Sequence, residues 1–151
     1  MKRFILLFLL TTVLTINAQE SNFKEFYKSN KKNAVFSFNV PMFLVRSFVD
    51  DQDINRDIMK KATNFKMLVY ENNGNVVMND FNNFSKKNKL KTLLRAKDGK
   101  DKVEIYFSED EGFIKEIILI AGSKEEEVVF MGLKTKKLTK DELASLVANN
   151  M

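Results

Sequence analysis

Three consecutive acids, Glu109, Asp110 and Glu111, stand before a glycine in YFSEDEGFIKEIIL (residues 106–119), between two apolar runs. Carboxylates that close in sequence can gather calcium, which takes about six to eight oxygen ligands, or act as general acid and base. This run lacks the alternating Asp/Asn spacing and the distal glutamate of a calcium loop. Asp110-Glu111-Gly112 instead fits a three-residue hairpin loop, a type I turn followed by a left-handed glycine. Four more acids, Asp98, Asp101, Glu125 and Glu126, fall at one end of any meander that joins neighbouring strands. Lys100, Lys102 and Lys124 lie among them, which favours charge pairing over a metal site. The two sets are roughly 20 Å apart at about 3.3 Å of strand rise per residue, so they cannot share one ion.

Nucleophilic chemistry has little to work with. The chain contains no histidine and no cysteine, which removes His-based triads, thiol nucleophiles and His- or Cys-ligated zinc. No serine sits in a nucleophile elbow, and GKDK and GSK lack the long glycine-flanked pattern of a phosphate loop. Every acid in sight reads as part of a turn or a charged face. The expectation is a protein that is not an enzyme and needs no cofactor. The alternative is an unrecognised hydrolase or a calcium-dependent protein built on loop carboxylates.

The first residues, MKRFILLFLLTTVLTINAQE, carry a basic start, an apolar stretch from Phe4 to Leu14 and a polar end. That order predicts a secretory signal peptide, residues 1–18, cut after Ala18. The apolar stretch is short for a membrane span, which needs about 20 residues. No thiol is available for lipid attachment. The expected product is a soluble periplasmic or secreted protein with no stable membrane insertion after cleavage. Removing Lys2 and Arg3 takes the 25 basic residues to 23 against 20 acidic ones, a net charge of +3. Charges of both signs interleave along the chain, which argues against a nucleic-acid partner.

Residues 19–151 suit a single domain. Phe23, Phe26 and Tyr27 share one face of a short helix capped by Ser21, and NAVFSFN (33–39) reads as a strand. Proline then opens a helix, PMFLVRSFVDD, apolar nearly all round and therefore expected to be buried. Asp53 caps a helix carrying Ile54, Ile58 and Ala62, which leads into the strand FKMLVYE (65–71). A turn at 72–74 precedes a helix over 75–87 with Val77, Phe81 and Phe84 on one side. From Lys89 the pattern has period two, through a hairpin signal at 98–101 and the strands KVEIYFS, FIKEIILIA and EEVVFMGL. Thr139 and Glu142 form a capping box for a last helix. The fold class is α+β: an antiparallel sheet of about five to six strands, ending in a four-strand meander and packed by helices.

The meander is apolar on both faces. With a three-residue loop at 110–112, Val103, Ile105 and Phe107 share a face with Phe113, Ile117 and Leu119. Tyr106, Ile114, Ile118 and Ile120 then occupy the opposite face. Both faces need a cover. Either the helices wrap both sides, or the face of Tyr106, Ile114, Ile118 and Ile120 receives a protein partner, an apolar ligand or another copy of the chain.

The succession VFSFNVPMFLVRSF, INRDIMKKATNFKMLVYE and LLRAKDGKDKVEIYFSEDEGFIKEIILIAGSKEEEVVFMGLKTKKLTKDELASL resembles domain-of-unknown-function family 4252, secreted envelope proteins of Bacteroidota. Met42-Phe43, Lys97-Asp98-Gly99 and Gly132, the glycine before the last turn, carry the likeness. These are packing and turn residues, and the family supplies no catalytic residue to transfer. The resemblance implies a non-enzymatic binding or interaction module of the bacterial cell envelope, an accessory of an envelope-response system.

Overall fold

Helix α1 (Asn22–Asn30) places Phe23, Phe26 and Tyr27 on one stripe, and all three are buried. The structure, a computed structural model, describes residues 22–47, 56–123 and 125–149. The expected signal peptide with its cleavage at Ala18 and the caps Ser21 and Asp53 lie outside the described residues. After α1 come β1 (Phe36–Pro41), α2 (Met42–Arg46), α3 (Arg56–Lys61), β2 (Ala62–Glu71) and α4 (Gly74–Lys87). The meander follows as β3 (Lys91–Asp98), β4 (Asp101–Asp110), β5 (Phe113–Gly122) and β6 (Glu127–Leu138), and α5 (Lys140–Asn149) closes the domain. The six strands form one sheet in the order β1-β2-β6-β5-β4-β3, antiparallel at every pairing. The fold is α+β, as expected.

The hairpin loop between β4 and β5 has two residues, not three. Asp110 pairs with Phe113, and Glu111 and Gly112 both take positive φ, 50° and 81°. That is the pattern of a type I′ turn, whose twist matches the strands it joins. A bulge at Lys115 then offsets the difference, because Ser108 faces Glu116 while Glu109 faces Ile114. Tyr106 therefore still lies opposite Ile118, and Phe107 opposite Ile117. The same bulge moves Ile114 onto the side of Phe107 and Glu109, away from Ile118. Phe113, opposite Asp110, is exposed.

One face of the sheet carries Leu68, Phe130 and Ile120 in register across β2, β6 and β5. Helices α1 and α4 bury it. Phe26 is the hub, with ring centroids 5.5 Å from Phe81, 5.3 Å from Phe84 and 5.4 Å from Phe130. Phe81 reaches Tyr106 at 5.2 Å. Tyr70 donates its hydroxyl proton to the Asn30 carbonyl at 2.8 Å, and burial pushes its pKa up to about 12. A second cluster, Ile58, Ile114, Leu138 and Leu143, joins α3 and α5 to one end of the sheet.

Helix α2 departs from expectation. Met42 is buried, but Phe43 and Leu44 are 64% and 43% exposed. Pro41 stands one place earlier than expected, as the N-cap. The helix packs at the sheet edge, against β1 and β2, so a side chain on its outer half has no neighbour to meet. Arg46 fixes its position by donating to the Met59, Lys60 and Ala62 carbonyls at 2.9, 3.0 and 2.9 Å. These are acceptors that the end of α3 leaves open.

The capping box forms. The Thr139 N–H donates to Glu142 at 2.9 Å, and the Glu142 N–H donates to the Thr139 hydroxyl at 3.3 Å. Lys61 of α3 adds an ion pair to the same carboxylate at 2.5 Å. The Lys61 hydrogen bond, then the Thr139 backbone, holds the Glu142 pKa down to about 2, below its unfolded value. A depressed acid contributes stability that is full above its unfolded pKa and lost as pH falls through the folded one. The melting temperature is therefore expected to fall between about pH 4.5 and pH 2. Glu142→Gln should flatten that part of a melting-temperature-against-pH curve; an unchanged slope would assign it to other acids.

Candidate functional site

Acids are the first place to seek chemistry, and three of the turn acids, Glu109, Asp110 and Glu125, are paired with lysines. Glu109 accepts ion pairs from Lys91 and, at 2.7 Å, from Lys140, which hold its pKa below the carboxylate range. Lys100 meets Glu125 at 2.9 Å across the two turns at the other end of the sheet. Among the described residues no group of three or more Asp, Glu, His or Cys side chains is placed to hold a metal ion.

Two acids depart from the expectation that all lie on turns or charged faces. Glu104 and Glu116 are 2% and 3% exposed, on the helix-covered face. Each has a structural partner. Glu104 meets Arg95 at 3.0 Å and Lys102 at 2.8 Å. Glu116 accepts the Phe23 N–H on both oxygens at 3.3 and 3.2 Å, placing its negative charge at the positive first turn of α1. Lys66, also buried, donates to Asn64; burial pulls its pKa down, against the opposing charge of Glu116. The two acids do not form a glycosidase pair. Glu104 faces Ile120 across the β4–β5 ladder, and Ile120 lies four positions along β5 from Glu116. That is about 13 Å of strand, beyond the roughly 5–9.5 Å that such carboxyl pairs span.

A polar cleft of about 920 Å³ opens beside Glu116, lined by Glu109, Asp110 and the lysines 89, 91, 115, 134 and 136. Its carboxylates are committed to the helix cap and to lysines.

The sheet faces carry the remaining possibility. Tyr106, Ile118 and Ile120 are 5%, 0% and 4% exposed, inside the main core under α1 and α4. Ile114 is equally buried but belongs to the second cluster, because the Lys115 bulge turned it to the other side. The four residues expected to form an interaction face are thus core, and they do not share a face.

The opposite face is different. Register carries one row unbroken across all six strands: Phe38, Met67, Met131, Leu119, Ile105 and Leu94. A parallel row runs from Phe36 through Val69, Val129, Ala121 and Val103 to Ala96. Every side chain of both rows is apolar and none is buried. A third row includes Leu133, Ile117 and Phe107, which pack partly against the second cluster. At the β1 edge, Val35, Phe43 and Leu44 are also exposed, beside Phe36 and Phe38 of the rows. The charges that guard a sheet edge stand on the far edge, as Lys91, Arg95 and Lys97 of β3. β1 has none.

Alternation in the sequence shows that both faces are apolar. What it does not show is which one the helices cover. β2 and β3 run parallel four positions apart, so α4 joins them as a crossover. Crossovers of this kind are right-handed as a general rule, a constraint on the helix side that periodicity does not contain.

Comparison with protein families matches residues 26–146 to the model described as Domain of unknown function (DUF4252). Neither the curated proteins nor the solved structures contain a match.

Proposed function

We propose that this chain, which belongs to the DUF4252 family, is a non-enzymatic interaction module, secreted or periplasmic, in the bacterial cell envelope. It docks a protein partner through the open face of its sheet, and an accessory role in envelope response would be exercised through that contact. One observation carries the reading: two complete rows of apolar side chains cross six strands without a charge and without being buried. Monomeric proteins rarely show a contiguous apolar patch beyond about 300–600 Å² unless it is used. No helix among the described residues is long and apolar enough to cross a membrane. The shape favours a protein over a small apolar ligand, which needs a concave pocket. The described cavities, beside Glu116 and beside Ser123, are lined by residues outside the two open rows.

The test is retention from an envelope fraction on immobilised protein, comparing wild type with Leu119→Asp. The variant places a charge at the centre of the open face, and its thermal melt verifies folding. At least a tenfold loss of a retained protein is expected with the variant. Equal retention by the two proteins would remove the face from the function.

A further inference from the structure

We infer that the cleft beside Glu116 binds a small ligand that carries an acidic group, phosphate or carboxylate, at each end. Its volume, about 920 Å³, lies within the range of ligand pockets, about 300–1,000 Å³. The cleft lies apart from the two open rows of the sheet, so it stands independently of the docking role proposed above.

Charge selects the ligand. Five lysines and three acids line the cleft, and the acids are already engaged. Glu109 takes up Lys91 and Lys140, and Asp110 meets Lys115. Lys134 stands opposite Glu116 in the β5–β6 ladder, but that carboxylate is turned to the Phe23 N–H. Lys89, Lys134 and Lys136 have no ion pair among the described residues. Positive charge is in excess at this floor. Burial pulls the pKa of nearby Lys66 down and Glu116 opposes it, while Lys134 and Lys24 add to the fall. A bound anion would offset that repulsion.

Backbone geometry presents the three lysines. Lys89 follows α4 with φ 52°, its N–H donating to the Lys86 carbonyl at 3.2 Å and the Leu90 N–H to the Ser85 carbonyl at 3.0 Å. Glycine is the usual residue at that place in this helix ending. Lys86 and Lys87 already complement the dipole of α4, so the helix end does not call for a third lysine. On the other wall, β6 takes four steps from Lys134 to Leu138 while β5 takes two from Glu116 to Ile114. The extra residues bulge, anchored by the Thr135 hydroxyl, which donates to the Ile114 carbonyl at 2.8 Å. Lys136 rides on that bulge, a device that re-aims side chains. The two walls, β6 and the approach to β3, lie three strands apart, about 14 Å. A ligand acidic at both ends meets both walls, and the Ser108 hydroxyl between them can donate to its oxygens.

Calorimetric titration of protein expressed from the full chain, with fructose bisphosphate, citrate and inorganic phosphate as probes, tests this. One of the first two is expected to bind at least tenfold tighter than inorganic phosphate, and which one does so tells phosphate from carboxylate. Added salt should weaken that binding. Lys89→Gly should cut the affinity at least fivefold yet melt no lower than wild type, because glycine suits that backbone. Lys134→Gln with Lys136→Gln, both exposed positions, should cut it at least tenfold. The inference is overturned if neither fructose bisphosphate nor citrate binds, if neither exceeds inorganic phosphate, or if binding survives both sets of substitutions.

Discussion

Ile118→Asp is expected to abolish cooperative thermal unfolding, whereas Leu119→Asp, one residue later, should still melt in a single transition. Ile118 is 0% exposed, between Gly132 of β6 and Tyr106 of β4 under the aromatic cluster. Removing its side chain alone costs about 2–5 kcal/mol. The carboxylate adds several kcal/mol more, since it would be buried in the main apolar cluster, away from water. Together these rival the entire stability of a domain, about 5–15 kcal/mol. Leu119 faces the open side, where water or a rearranged neighbour can reach an aspartate. A loss of about 1 kcal/mol there shifts the melting temperature by only a few degrees. Circular dichroism melts of the two variants decide the matter. Similar damage from both would mean that the second face is packed as tightly as the first.

Gly132→Val should be nearly as severe, for a steric reason. A Cβ built at Gly132 meets the Phe23 ring, with Cδ1 at 2.0 Å, Cε1 at 2.4 Å and Cγ at 2.7 Å. Phe23 is 2% exposed and packs on Phe26 at 5.7 Å, so its ring cannot swing aside without opening the core. Phe23 also carries the N–H that Glu116 accepts, which ties the ring position to the start of α1. The substitution is expected to cost about 3 kcal/mol or more, overpacking plus the displaced ring. Gly132→Ala should cost less, with the same sign. A double-mutant cycle is diagnostic: Phe23→Ala removes the clash, so Phe23→Ala with Gly132→Val should be more stable than the sum of the single losses. Strict additivity would show that Gly132 is not required by Phe23. Gly132 was expected from its family resemblance as a glycine before the last turn; it is instead a mid-strand slot for a helix side chain.

Local chemistry was legible wherever it was local. The stripe Phe23, Phe26, Tyr27, the hairpin at 98–101 and the Thr139–Glu142 box all form, because each depends on residues within one or two turns of the chain. The exposed half of α2 was not legible. Its apolar sequence suits burial, yet Phe43 and Leu44 lie at the sheet edge, where burial would need a neighbour that the described chain does not supply. Glu116 was not legible either. Its place between Ile114 and Ile118 carries no sign of a partner, whereas α1, 93 residues earlier in the chain, brings a backbone N–H to it.

The sequence by itself determined an α+β domain, its strands and helical stripes, the apolar character of both sheet faces, and the absence of histidine and cysteine chemistry. Tertiary structure decided which face became core. Side-chain alternation has period two and is blind to the choice between the two faces. The choice was made by the packing of α1 and α4 on one face, with one bulge at Lys115 setting the side of Ile114, and it left Leu119, Met131 and Phe38 where Ile118 and Tyr106 had been expected.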